Sequence, residues 1–341
     1  MKYLIDIKDL SDMQKKSAGD KAYNVALLSR ANSRVPRSAV LTVSAYKQYL
    51  SSSGLDAYIL REINRKKLSE YRWEELWDIS LRIKNSFLRH AMPQEMQLEI
   101  DDFLKTFFHG APVAVRSSAP GEDGSKSSFA GLHESYLNLS DIEEVRKHVR
   151  LVWASLWSVS ALLYRKELNL DPFKSTMAVL IQEVVDGQSS GVVFSVAPDK
   201  PECVAVEAVY GLNQGLVDGS VEPDHWNIDR KAMTIRDFFP ASERNRLMRP
   251  VVNGIELVDT PRKEAPPITQ TQVVDVASEA MRQERHFGHP RDVEWTFRDE
   301  RLIILQSRPI TTSGGETDES PDICCNSNGS EPDRNRRICI L

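Results

Sequence analysis

DVEWTFRDERLIILQSR, residues 292–308, decides how the rest of the chain is read. Val293, Trp295 and Phe297 alternate with Asp292, Glu294 and Thr296, and alternation of period two marks a strand with one buried face. A second such run follows, so two strands are expected over 291–298 and 302–309. In the second run Gln306 and Arg308 share a face. A loop of three residues, Asp299 to Arg301, sets Glu294 opposite Gln306 and Asp292 opposite Arg308. A two-residue turn instead puts the pairs on opposite faces, because a slip of one residue flips every side chain. Two readings of this polar face compete. One is a solvated cross-strand charge pair, which contributes about 0.2–1 kcal/mol. The other is a seat for a metal-bound polyphosphate. Mg²⁺ takes oxygen ligands, only a few of them from protein, and arginine neutralises phosphate through paired hydrogen bonds.

Three upstream segments carry groups of the same chemistry. In VAVRSSAPGEDGSKSSFAGLHESYLNL, 113–139, a β-branched run delivers Arg116 into a loop of small and polar residues that includes Gly121, Gly124 and Gly131. The backbone N–H groups of such a loop can fold over a phosphate without side-chain clash; a surface loop is the equally weighted alternative. SAGDKAYN, 17–24, sets Lys21 at the start of a helix after a glycine, where the helix N-terminus adds to the positive field. Taken alone, that segment reads more simply as a solvated surface lysine. In AVLIQEVVDGQSSGVVF, Gln182, Glu183 and Val185 end an apolar run. It is either a core strand or the lining of a purine, with backbone groups at the base edge. VEAVYGLNQGLVDGSVEPDHW, 206–226, adds Glu207 and a further glycine-rich turn. Neither GxxxxGK[ST] nor GxGxxG occurs.

Apolar residues recur at helical spacing over 19–34, 73–91 and 94–108, with Pro93 between the last two. VPRSAVLTV, 35–43, reads as extended. Ser140-Asp141-Ile142-Glu143 reads as a capping box opening one long helix to about Leu168. From about 176 short β-rich runs alternate with Gly, Pro and Asp, followed by a helix over 270–286. The expected class is α+β, with helices mostly N-terminal and antiparallel sheet mostly C-terminal. After Thr312 the chain loses its apolar content, and 313–341 is expected to be a disordered polar tail.

With 341 residues, 41% hydrophobic and 27% charged, the composition is that of a globular chain able to bury a large core. A net charge of -5 argues against nucleic acid as the main partner. No apolar run has the length a membrane span needs, and the N-terminus lacks the apolar core of a secretory signal. The four cysteines have neither zinc-ligand spacing nor the density of a disulfide framework. A reducing cytoplasm is the expected location.

Taken in order, Gly-x-Lys-x-x-Asn, VAVRSSA…EDG…SFAG…YLN, IQEVV…SGVVFS, VEAVYGLNQGLV and DVEW…LIILQSRPIT resemble one known domain. It is the N-terminal ATP-binding domain of phosphoenolpyruvate synthase and pyruvate, phosphate dikinase, also carried by rifampin phosphotransferase. The resemblance runs from about residue 10 to 312. It implies that 1–312 form an ATP-grasp-like unit, helix-rich over about 1–110, whose two lobes enclose a nucleotide cleft. It further implies ATP and Mg²⁺ as ligands. Lys21 and Arg116 match phosphate contacts, Gly131 and Ser135 the glycine-rich loop, and Gln182, Glu183 and Val185 the adenine segment. Glu294 and Gln306 match the metal ligands, and Arg308, with Asp292 beside it, a phosphate contact. Arg116 and Arg308 are the expected catalytic groups. In the family, ATP gives its β-phosphoryl group to a histidine on a separate domain and AMP leaves. None of the seven histidines here has that context. A partner subunit carrying the phosphohistidine and the acceptor site is therefore expected. A free-standing ATP-binding regulatory module and a direct small-molecule kinase remain alternatives.

Overall fold

The structure, a computed structural model, describes residues 2–124, 127–128 and 134–310, with backbone alone at 123–124 and 127–128. Strands β1 (Leu4–Asp6), β2 (Ser38–Leu41), β3 (Val113–Ser118), β4 (Asp123–Gly124), β5 (Ser127–Ser128) and β6 (Ser135–Leu139) come first. They are followed by β7 (Ala178–Glu183), β8 (Ser189–Phe194), β9 (Cys203–Tyr210), β10 (Asp224–Asp229) and β11 (Ile235–Phe239). β12 (Arg246–Val251), β13 (Gly254–Asp259), β14 (Arg291–Arg298) and β15 (Arg301–Pro309) complete the set. The early helices are α1 (Lys15–Ala18), α2 (Asp20–Arg30), α3 (Val43–Ser53), α4 (Leu55–Ile63), α5 (Trp73–Arg89) and α6 (Gln94–Thr106). The later ones are α7 (Ile142–Ser155), α8 (Val159–Glu167), α9 (Gln214–Val217) and α10 (Gln270–Phe287).

Two antiparallel sheets organise these elements into an α+β fold. The first runs β1-β2-β7-β3-β6 and the second β11-β10-β9-β8-β14-β15. Sheet is mostly C-terminal as expected, nine of the fifteen strands among the described residues lying at or beyond Ala178, although the first sheet also draws on strands from Leu4 onward. Tyr46, Tyr49, Ile83, Phe87 and Trp153 of the helices close one face of that sheet over Val113, Val115, Val179 and Ile181. Across the second sheet, Val273, Val276, Ala277 and Ala280 of α10 meet Val204, Val206, Trp226, Val293, Trp295 and Phe297. Burying each valine and Phe297 of this interface contributes about 1.5–3 kcal/mol relative to exposure, and each alanine methyl correspondingly less. Helix α2 belongs to both cores. Ala22, Val25 and Ala26 pack on Val40, Ala178 and Leu180 of the first sheet, while Leu28 enters the core of the second. The amide of Ile304 donates to the Arg34 carbonyl at 2.8 Å, fastening β15 to the chain just beyond α2.

The 292–308 hairpin departs from expectation in one instructive way. Its connection is a two-residue turn, Asp299-Glu300, both at positive φ (51° and 61°), with Arg298 opposite Arg301. Taken alone, that turn would place Glu294 opposite Leu305. A β-bulge between Glu294 and Trp295 leaves Leu305 as the extra residue, so Glu294 faces Gln306 and Asp292 faces Arg308 after all. The pairing anticipated for a three-residue loop is thus reached by a shorter turn plus an inserted residue.

The long helix expected over 140–168 is two helices. Ser158 caps the second, its hydroxyl accepting from the amide of Ala161 at 3.2 Å. Between them Leu156 and Trp157 are buried, and the Leu156 carbonyl accepts from Arg165 at 2.5 Å. The first helix is capped by Asp141, which accepts from the Glu144 amide at 3.0 Å. Ser140 instead donates to Asn253 at 3.1 Å.

The tight hairpin makes a stability prediction. Replacing Glu300 by glycine relieves a left-handed conformation that side chains disfavour. Glu300→Gly should raise unfolding stability by about 0.5–1 kcal/mol in a urea titration; a destabilised variant would contradict the turn.

Candidate functional site

Arg116 joins the two sheets. In β3, Val113 and Val115 point into the helical core, and the pleat sends Arg116 to the opposite face. Its Nη1 donates to Gln182 Oε1 on neighbouring β7 at 3.2 Å. Its Nη2 donates to Glu294 Oε2 on β14 at 3.2 Å and to Gln306 Oε1 on β15 at 2.7 Å. Gln182 Nε2 in turn donates to the carbonyl of Leu305, the bulged residue, at 3.2 Å. Side-chain exposure of 13% for Arg116 and 22% for Glu294 places this ion pair mostly out of water. A carboxylate and an amide oxygen therefore converge on a single nitrogen that bears positive charge. Hard oxygen donors directed at one cationic point form a set that suits Mg²⁺. No group of three or more His, Cys, Asp or Glu among the described residues could hold a metal by itself.

Lys21 stands at the start of α2, and its position depends on Gly19. Gly19 has φ +76°, and a Cβ there would lie 1.9 Å from the Ser118 carbonyl oxygen, so no side chain fits. The close approach lets Ser118 Oγ accept from the Ala22 amide at 3.0 Å and donate to the Ala18 carbonyl at 2.8 Å. Lys21 Nζ then reaches Ser117 Oγ at 3.1 Å and the carboxylate of Glu122. Glu122 is buried, and its other oxygen accepts from the Ala119 amide at 3.2 Å. Asp20, in the first turn, donates its amide to the Ala119 carbonyl at 3.2 Å. Glu122 is a site residue that sequence reasoning did not single out, although it lies in the EDG that follows the arginine-bearing strand. Glu122→Ala should lower unfolding stability by roughly 3 kcal/mol, the low end for breaking a buried pair, because Lys21 keeps some access to water. Chemical denaturation reads this directly. A loss below about 1 kcal/mol would mean the pair behaves as a surface salt bridge.

Arg308 Nε donates to Asp292 Oδ2 at 2.7 Å across the hairpin. Burial pushes the Asp292 carboxyl above its usual range, and the Arg308 charge opposes that shift. Register continues the row that holds Glu294 and Gln306 across the whole second sheet. Gln306, Glu294, Val192, Glu207, His225 and Phe239 form one cross-strand row. Opposed residues share a face, and two strand spacings set Glu207 about 10 Å from Glu294. His225 Nδ1 lies 3.3 Å from Glu207 Oε1 and Nε2 lies 3.1 Å from Asn227 Oδ1. The bond to Glu207 raises the His225 pKa above 6.5. A raised value in the folded state means the pair's stabilisation is complete below the unfolded value and is lost as pH climbs through the folded one. Glu207→Gln should therefore flatten the dependence of the melting temperature on pH above pH 6.5. An unchanged slope would show that the pair does not titrate with folding.

The other expected residues fall as follows. Ser135 opens β6 directly opposite Arg116 and is exposed. Glu183, at the end of β7, is held by Arg37 Nε at 2.6 Å. Val185 is buried just beyond that strand. Gly131 lies outside the described residues. The structure thus brings Arg116, Gln182, Glu294 and Gln306 into one hydrogen-bonded group. Lys21 and Arg308 are each paired with a separate carboxylate.

Comparison with known proteins points in one direction. The model of the AMP/ATP-binding domain of pyruvate phosphate dikinase matches residues 15–323. A probable phosphoenolpyruvate synthase from Methanothermobacter thermautotrophicus is 31% identical over 333 residues, which cover 94% of this chain and 48% of that protein. The phosphoenolpyruvate synthase of Aeropyrum pernix is 31% identical over 340 residues, 89% of this chain and 41% of that one. A rifampicin phosphotransferase from Streptomyces sviceus is 31% identical over 318 residues, 91% of this chain and 36% of its own length. The chain spans less than half the length of each of these relatives. No helix among the described residues is long and apolar enough to cross a membrane.

Proposed function

Because this chain belongs to the family of pyruvate phosphate dikinase AMP/ATP-binding domains, we propose that it is the ATP-activating part of a phosphotransferase. It holds Mg-ATP in an ATP-grasp-like cleft between its two sheets. It sends the β-phosphoryl group to a histidine on a partner subunit, which also carries the acceptor site. The observation that supports this reading most is the hydrogen-bonded group that Arg116 and Gln182 of one sheet form with Glu294 and Gln306 of the other.

The roles follow from charge and position. Glu294 and Gln306 would hold Mg²⁺, which supplies charge neutralisation to phosphate oxygens when bound. Arg116 and Arg308 take phosphate oxygens by paired hydrogen bonds. Lys21 adds a point charge at a helix N-terminus. Ser135 would contact the phosphates, and Gln182, Glu183 and Val185 would border the adenine; Gly131 is assigned to the phosphates by its motif alone. The bond between the α- and β-phosphates breaks with its electron pair on the AMP oxygen. A P–N bond forms to the histidine ring, and the γ-phosphate is lost to water or to another phosphate. No group on this chain needs to become covalently modified. The site works by positioning and by compensating charge that builds on the phosphates.

Arg308→Ala and Glu294→Ala should each cut AMP formation by roughly 10²-fold or more, with circular dichroism melts showing the fold retained. The decisive assay supplies ATP labelled at the β-phosphate, with and without extract of the source cells. AMP together with acid-labile label on a second polypeptide is the expected result. ATP that is bound yet never converted, even in extract, would replace this reading with that of a nucleotide-binding regulatory module.

A further inference from the structure

Resting on the ATP reading above, we propose that the Arg116–Glu294 bond makes this site selective for cation and polyphosphate arriving together and weak for either alone. Arg116 Nη2 sits on Glu294 Oε2 at 3.2 Å and on Gln306 Oε1 at 2.7 Å. These are the two oxygens a divalent cation would take, and the guanidinium is the group a phosphate would take. Each half of the ligand is therefore opposed by a group that the other half removes.

A cation entering alone must push the guanidinium off both oxygens. It leaves a positive group only 13% exposed, beside a second positive charge. A polyphosphate entering alone must draw Arg116 away and leave the Glu294 carboxylate facing phosphate oxygens, a like-charge contact in a partly desolvated place. When both arrive, the carboxylate gains the cation and the guanidinium gains the phosphate, so no charge is left uncompensated. Gln182 makes the exchange local. Its Oε1 holds Arg116 Nη1 at 3.2 Å, so the guanidinium can turn from Glu294 without leaving the site. The neighbouring cations repeat the pattern, with Lys21 on Glu122 and Arg308 on Asp292. By linkage, cation and nucleotide must raise each other's affinity by the same factor.

The test uses the full chain and two readouts that do not involve turnover. Mn²⁺ binding without nucleotide is followed by electron paramagnetic resonance, and ATP binding in chelator by calorimetry. Arg116→Ala should tighten nucleotide-free Mn²⁺ binding by about tenfold. Glu294→Gln should tighten metal-free ATP binding by about the same factor while abolishing the benefit of added cation. Arg116→Gln, closer in shape, serves if the alanine variant fails to fold. Unchanged Mn²⁺ affinity in the folded Arg116 variant, or unchanged or weaker metal-free ATP binding in Glu294→Gln, would overturn the proposal. Failure of the unaltered protein to bind Mg-ATP would instead sink the ATP reading. The nucleotide-free Mn²⁺ comparison would still report on the exchange.

Discussion

The guanidinium of Arg116 is the constraint from which the rest of the structure can be understood. It must leave a strand whose other face is sealed under aromatic helices, cross to the second sheet, and meet oxygens on two neighbouring strands there. That contact demands that the sheets be held at a fixed separation, and α2 is the spacer. Its small residues, Ala22 and Ala26, let it lie close on the first sheet, and Leu28 enters the second core. The hydrogen bond from Ile304 to Arg34 fixes β15 to the segment that follows this spacer. Hydrophobic burial thus sets the distance over which a single charged bond can form.

Much of this was legible in sequence because it rests on local periodicity. The alternation in 292–298 put Val293, Trp295 and Phe297 in a core and Asp292 and Glu294 on the other face, as the structure has them. The helical spacing of Leu76, Ile79, Ile83 and Phe87 likewise marked the buried face of α5. What was not legible is whatever two distant segments decide together. The bulge at Leu305 carries no residue signature of its own. It is held by the side chain of Gln182, 123 positions away. The break at Leu156–Ser158 follows from the burial of Leu156 and Trp157 against other elements, with Ser158 then available as a cap. The early strands β1 and β2 are short; β1 pairs with β2, and β2 takes its place in the first sheet by pairing with β7, which lies more than a hundred residues on.

Glu122 shows the same limit at the site itself. Read alone, an acid in a Gly/Ser-rich loop is an ordinary solvated group. Only the contact of Gly19 with the Ser118 backbone brings α2 close enough for Lys21 to reach it. Glu207 and His225 are a further case. They are 18 positions apart, and it is the register of three strand pairs that aligns them with Glu294.

Stability alone does not account for these charges. A buried ion pair gives little net stability, since desolvation offsets most of its attraction, and apolar residues of similar volume often do better. Two sheets already joined through α2 do not need Arg116–Glu294, Arg308–Asp292 and Lys21–Glu122 to stay together. What such pairs provide, and apolar contacts cannot, is a set of groups already desolvated, oriented and mutually compensated before any ligand arrives. Preorganisation of this kind removes the reorganisation a solvated site would undergo as phosphate charge shifts. The folding energy withheld by burying charge reappears as groups that can trade one partner for another with little movement.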